Sequence, residues 1–243
     1  MPIGVIIDAA SVAVGGILGA LAGQKLPEDF KNQLNIVLGL CSLGMGISAI
    51  GLMQNMPAVI FALVVGAGIG LAVGLGNWIN KGAEAMQRPA AKLLRGQNAG
   101  MSQAEFNATL VTVIVLFCAS GTGIYGSLDA GMTGDSTILI SKSILDLFTA
   151  AVFACNLGCV VSLVAVPQLV ILLALFFGAR GILPMTTPEM IADFKACGGF
   201  LMVATGLRMT KIKSFPIADM IPAVVLAMPF SWLWSNCILP LLS

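Results

Sequence analysis

The chain has 243 residues, 58% of them hydrophobic and 9% charged, with a mean hydropathy of +1.00 and a formal net charge of +1. Soluble domains carry about 25% charged residues, so the composition describes an integral membrane protein and leaves no room for a soluble domain. The near-neutral charge offers nothing to nucleic acid, and the lack of histidine excludes imidazole bases and imidazole metal ligands.

A spanning helix needs about 20 apolar residues, and the hydrophobic runs predict an all-α, polytopic protein of about eight such helices. The first runs from about Ile3 to Ala22. It lacks a basic leader and holds Asp8, so it reads as a retained span and not a signal peptide. Gly15, Gly16 and Gly19 give it a small-residue face for close packing. After a charged connection with Pro27-Glu28, span 2 covers about Leu34 to Met53 and span 3 about Ala58 to Gly76. Lys81 to Asn98 reads as a solvated basic loop; the alternative is an amphipathic surface helix interrupted by Pro89.

Ser102 and Glu105 have the form of a capping box that starts span 4, expected to end near Ile124. Span 5 is expected from Asp135 or Ser136 to about Val164, and Pro167 opens span 6. Thr187-Pro188-Glu189 is an N-cap, N1 and N2 set for span 7. Span 8 covers about Ile217 to Leu241 and contains Pro222 and Pro229. The six cysteines lie in apolar segments and read as packing residues.

With eight spans, Lys25, Lys31, Lys81, Arg88, Lys92, Arg95, Arg208, Lys211 and Lys213 share one side. Arg180 and Lys195 share the other. This asymmetry predicts both termini on the non-cytoplasmic face.

Sliding the sequence on itself by 165 residues places Pro2, Val5, Ile6, Ala9, Gly16, Ile17 and Leu18 over identical residues of 167–183. Pro57-Ala58-Val59 falls over Pro222-Ala223-Val224. The expectation is a single transmembrane domain with a first repeat at 2–76, a central helix pair at 102–165 and a second repeat at 167–241. Five spans separate equivalent helices, so the second copy is inverted, as in many secondary transporters.

The central region carries the candidate chemistry. A charged side chain at mid-membrane costs about 2.5–3.5 kcal/mol on insertion scales, so each one calls for a reason. Asp146 lies about 12 Å into span 5 at helical rise, with Lys142 one turn earlier. Lys142, Asp146, Thr149 and Asn156 form a polar stripe that reads as a lined pathway, with a structural ion pair as the alternative. Upstream, the stretch from Ser120 to Asp135 holds Gly121, Gly123, Gly126, Ser127 and Asp129. Two readings stay open for it. One is an external loop. The other is an unwound or re-entrant segment whose carbonyls and hydroxyls line a cavity. In the second reading sodium is a candidate at Asp129, Asp135 and Asp146, because oxygen ligands suit hard cations. Asp8 is read as lying near the outer interface, with contact to Lys142 as the alternative. Arg180 and Asp219 are expected to snorkel at span ends.

The run Gly126-Ser127-Leu128-Asp129, Gly131-Met132-Thr133-Gly134-Asp135 and Lys142-Ser143-Ile144-Leu145-Asp146 resembles the core motif of a family of uncharacterised bacterial inner-membrane proteins, the YqgA type. Pro27-Glu28, Gly198-Gly199, Gly206-Leu207 and Pro222-Ala223 fit the same resemblance, which covers the whole chain. It implies a polytopic inner-membrane protein, at most a sodium channel or pump, with a loose link to biofilm formation. The residues and the resemblance together lead to transport of an ion or small solute, coupled to sodium or protons. A channel and a non-transporting scaffold are the alternatives. Expected partners are the lipid bilayer, the transported ion or solute and further copies of the chain. No cofactor and no enzymatic activity are expected.

Overall fold

The computed structural model describes residues 1–22, 27–93 and 103–242, and these contain helices but no strand. In chain order the helices are α1 (Ile3–Ala22), α2 (Glu28–Ile50), α3 (Met56–Val73), α4 (Leu75–Leu93), α5 (Gln103–Cys118), α6 (Gly121–Thr133), α7 (Thr137–Leu157), α8 (Val160–Leu163), α9 (Ala165–Ile182), α10 (Pro188–Met209), α11 (Ile221–Leu233) and α12 (Leu239–Leu242).

Among the described residues, eight segments are long and apolar enough to cross a membrane, as the sequence reading expects. They begin at Ile3, Glu28, Met56, Phe106, Thr137, Val160, Pro188 and Ile217. Their outer faces carry Leu40, Ile47, Val64, Val73, Val166, Val170 and Val225, all exposed. Such a surface suits lipid, where apolar side chains lose nothing by facing outward.

Close approach between helices depends on glycine. A Cβ on Gly15 or Gly19 of α1 would fall 2.2 Å from the Leu147 carbonyl oxygen or 2.1 Å from that of Ala151, so α1 lies against the backbone of α7. The crossing of α2 with α10 is reciprocal. A Cβ on Gly46 meets the Gly199 oxygen at 2.7 Å, and one on Gly199 meets the Gly46 oxygen at 2.7 Å. Helix α3 packs on α11, and α6 on α9. Helix α10 is the most enclosed span, with 67% of its apolar window buried. One hydrophobic core gathers beside it, around Tyr125, Cys197, Leu201 and Val224. A second lies between α5, α7 and α8, around Val113, Phe117, Ala150 and Val161.

Several boundaries differ from the sequence reading. Residues 81–93 belong to α4, a strongly amphipathic helix that continues past Pro89 without interruption, so a helix replaces the loop there, while 94–98 of the same stretch lie outside the described residues. Span 4 does not end near Ile124. It breaks at Ala119–Ser120 and resumes as α6 as far as Thr133, so the glycine-rich stretch is helical, neither loop nor unwound. Span 5 stops at Leu157, because Gly158 takes a left-handed φ of 74°, and span 6 starts at Val160, ahead of Pro167. Thr187 caps α10 as expected, accepting a hydrogen bond from the Met190 N–H at 3.3 Å. The capping box rests on Ser102, which lies outside the described residues, as do Lys25 and Arg95.

Candidate functional site

Helix α7 brings Lys142 and Asp146 to one face, one turn apart, and that face is closed by α1 and α9. Lys142 Nζ pairs with Asp146 Oδ2 and lies 2.9 Å from Asp8 Oδ2. Gln168 of α9 completes the group: its Nε2 donates to Asp8 Oδ2 at 2.9 Å and to Asp146 Oδ2 at 3.3 Å. All four side chains are buried, Asp8 and Gln168 completely. Two carboxyl groups thus face one ammonium within the bundle. Asp8 Oδ1 and Gln168 Oε1 have no hydrogen-bond partner. An unsatisfied buried acceptor costs about 1–3 kcal/mol, so each marks a place where a proton donor or a cation would be favourable.

Asp8 is fully buried within the bundle, and its contact with Lys142, the alternative expectation, is the arrangement observed. The close packing of α1 on α7 at Gly15 and Gly19 carries this carboxylate to the lysine. Nothing local in the sequence encodes that encounter.

The Lys142–Asp146 face borders a narrow cavity of about 30 Å³. Its hydroxyls come from Ser42 of α2, Ser120 and Thr122 at the break of span 4, Thr149 of α7 and Thr205 of α10. A water needs roughly 10–15 Å³ by this kind of measure, so the space suits one or two waters or a bare ion. The break is held by Ser120, whose Oγ accepts the Gly123 N–H at 3.0 Å and caps α6. Gly123 in turn lies beside Lys142: a Cβ there would come within 3.2 Å of Lys142 Cε. A neighbouring space of about 40 Å³ shares Leu116, Ser120 and Thr205 with the cavity and extends to Arg208, at the basic end of the bundle.

Towards the N-terminal side, a vestibule of about 420 Å³ lies over the same seam. It is lined by Asp129 and Tyr125 of α6, Lys195 of α10, Thr137 and Ser141 of α7, and Asp135. Asp129 is 1% exposed and pairs through Oδ1 with Lys195 Nζ at 3.1 Å. Its Oδ2 has no partner. Asp135 is exposed and accepts the Thr137 N–H at 2.9 Å; the Thr137 side chain first, and this N–H with it, hold its carboxyl below the usual range.

The expected site residues thus divide into groups. Lys142, Asp146 and Thr149 meet at the inner cavity with Asp8 nearby, whereas Asp129 and Asp135 meet at the vestibule. Asn156 leaves the stripe and accepts from Lys31 Nζ at 3.1 Å, at the far end of α7. Gly121, Gly123 and Gly126 do not line a path with their carbonyls. They are helical and admit Leu201, Lys142 and Leu139 to close contact. Ser127 is fully buried with an unpartnered Oγ. Asp129, Asp135 and Asp146 do not converge, and among the described residues no three acidic or thiol side chains gather to hold a metal. Arg180 lies over the rings of Phe176 and Phe177 at 5.1 and 5.8 Å. Asp219 is half-buried and accepts the Gly76 N–H at 2.7 Å.

Three polar residues escaped the sequence reading. Gln168, beside Pro167, is the fourth member of the cluster. Asp193 accepts from the N–H groups of Gln54 and Asn55 at 2.8 Å each and from Ser231 Oγ at 2.6 Å, which ties α10 to the turn before α3. Lys31 is buried between Glu28 and Asn156. The last two had a signal: Asp29-Phe30-Lys31 recurs as Asp193-Phe194-Lys195. In each copy the lysine reaches one of the two central spans.

The profile of the family described as protein of unknown function (DUF554) matches residues 3–232. The chain is 47% identical over 235 residues to the Escherichia coli (strain K12) protein called uncharacterized protein YqgA, covering 97% of this chain and 98% of the other. It is 22% identical over 223 residues to the Bacillus subtilis (strain 168) uncharacterized membrane protein YdfK, covering 92% and 93%. No solved structure matches.

Proposed function

The chain belongs to the DUF554 family of multi-pass membrane proteins, and from that premise we propose that it is a carrier, not an enzyme, that moves an ion or small solute across a bacterial inner membrane. Its charged cluster of Asp8, Lys142, Asp146 and Gln168 is the coupling site, driven by protons or a co-transported cation. Both termini face the periplasm. The observation that carries this reading is a buried, incompletely satisfied ionic cluster bordering a small cavity at a broken span, with Ser42, Ser120, Thr122, Thr149 and Thr205 among the residues around it. Ionisable groups within a membrane mark pathways when they face a cavity, and interrupted helices recur at transporter sites.

The packing order supports an inverted-repeat arrangement. Exchange of the first three spans with the last three, and of span 4 with span 5, maps the α1–α7 contact onto α9–α6. It maps α2–α10 and α3–α11 onto themselves. The pairing of Lys31 with α7 then corresponds to that of Lys195 with α6. Such symmetry is what alternating access between a vestibule on one face and a lane on the other would use.

A second reading has its own observation. Lys142 is clasped by both carboxylates in a space of only about 30 Å³, as a device that joins α1, α7 and α9 would be. Flux in proteoliposomes under imposed proton and sodium gradients, for wild type and Asp8→Asn, separates the two. Saturable flux in wild type that disappears in Asp8→Asn supports the carrier. An unsaturable current would mean a channel. Absence of flux under every gradient would leave the structural device.

A further inference from the structure

We infer that the vestibule holds a second binding site, at Asp129, for a small monovalent cation, with Lys195 as a tethered ammonium that occupies the carboxylate when the cation is absent. This goes beyond transport through the Asp8–Lys142–Asp146 cluster and does not rest on it, since it concerns occupancy of another site.

The reasoning begins with what Asp129 lacks. Asp193, on the neighbouring helix, is an equally buried carboxylate, and both of its oxygens are used: Oδ1 by two backbone N–H groups and Oδ2 by Asn55 and Ser231. That is a structural carboxylate. Asp129 is also almost wholly buried, yet Oδ1 receives only Lys195 at 3.1 Å and a long contact from Thr133 Oγ1 at 3.4 Å. Its Oδ2 receives nothing and is itself enclosed, while the residue lines a vestibule of about 420 Å³ and meets Lys195 there through Oδ1. Ionised beside the Lys195 ammonium, the carboxylate offers acceptors only, so the partner that fits it in that form is a cation or a donor and not an anion.

Charge gives the same sign. Asp129 and Asp135 line the vestibule against the single ammonium of Lys195, a surplus of one negative charge that one monovalent cation balances. Lys195 itself is able to leave. Its side chain is 18% exposed, its charge sits on a flexible four-carbon stem, and the vestibule gives it room to swing. The hydroxyls of Thr137, Ser141 and Ser48 lie around the same space and supply further oxygen contacts of the kind hard cations take.

The test uses the full chain in nanodiscs and a water-soluble amine-reactive reagent. Modification rates at Lys195 and at exposed Lys211 are read by peptide mass spectrometry as sodium or potassium chloride replaces N-methylglucamine chloride at constant ionic strength. Lys195 is expected to react about tenfold faster at saturating cation, the ratio for a pair that is open about one-tenth of the time at rest. Lys211 is expected to be unaffected. In Asp129→Asn, Lys195 reacts fast whatever the salt, and in Asp146→Asn the cation response persists. An unchanged Lys195 rate in wild type overturns the proposal. So does a response that survives Asp129→Asn and vanishes in Asp146→Asn, which would place the cation at the central cluster alone. If Asp129→Asn fails to fold, wild type and Asp146→Asn decide together: a cation response present in both supports the proposal, and one lost in Asp146→Asn overturns it. Flux is not measured, so a failure of the carrier reading leaves this result distinct.

Discussion

Replacing Lys142 by methionine removes the ammonium from between Asp8 and Asp146 while keeping the length and apolar stem of the side chain. Two carboxylates then share Gln168 Nε2, which lies 2.9 Å from Asp8 Oδ2 and 3.3 Å from Asp146 Oδ2. Removing one partner of a buried ion pair destabilises by about 3–5 kcal/mol, because the remaining charge has neither water nor counter-ion. Asp146→Asn has the opposite electrostatic effect. It removes the second carboxyl and leaves Lys142 on Asp8 at 2.9 Å. The expected loss is no more than about 1.5 kcal/mol, the net worth of one hydrogen bond. The assay is denaturant titration of the detergent-solubilised protein followed by its tryptophan fluorescence. Lys142→Met should unfold first by a wide margin and Asp146→Asn close to wild type. If Lys142→Met is as stable as wild type, or the order is reversed, the reading of the cluster as two carboxylates around a necessary cation is wrong.

Gly19→Leu should destabilise the α1–α7 contact by about 3 kcal/mol or more, at the upper end of overpacking effects, because its Cβ would lie 2.1 Å from the Ala151 carbonyl oxygen. Gly68→Ala, with nothing within 4 Å of the added carbon, serves as the control in the same unfolding assay and should be close to neutral. Ser120→Ala removes the acceptor for the Gly123 N–H and should cost about 1 kcal/mol, as lost N-caps do; faster amide exchange at Gly123 would report it. Asp135 is held below the ordinary carboxylate value of 3.8 by its hydrogen bonds at Thr137. Its contribution to stability is therefore present above that value and lost as pH falls through the lower folded value. The acid limb of the unfolding profile should be shallower in Asp135→Asn, and an unchanged limb would contradict the assignment.

The number of spans was legible because each needs a long apolar run, and loops in so hydrophobic a chain stand out by their charge. Lys142 and Asp146 were legible as a pair because residues four apart share a helix face. The identity of their partners was not. Asp8 and Gln168 reach the pair only through the packing of α1 and α9, which no local pattern encodes. The glycine-rich stretch was misread for a physical reason. Glycine density signals a turn in water, but inside a bundle it admits neighbouring helices, and here Gly121, Gly126 and Gly131 make room for Leu201, Leu139 and the backbone of Phe176. The break at Ser120 is a hydroxyl cap without a proline or charge to announce it. The basic segment after span 3 was read as a loop because Pro89 counted against a helix, while the amphipathic spacing of Leu75–Leu93 prevailed in the structure.

The central claim is that the cluster on α7 serves a passenger and does not merely join helices. Its most direct test is a paired measurement on one preparation of Asp146→Asn: flux after reconstitution, and folded fraction in the same vesicles, both relative to wild type. The expected result is flux reduced to background with the folded fraction kept. Flux equal to wild type in a well-folded variant would contradict it.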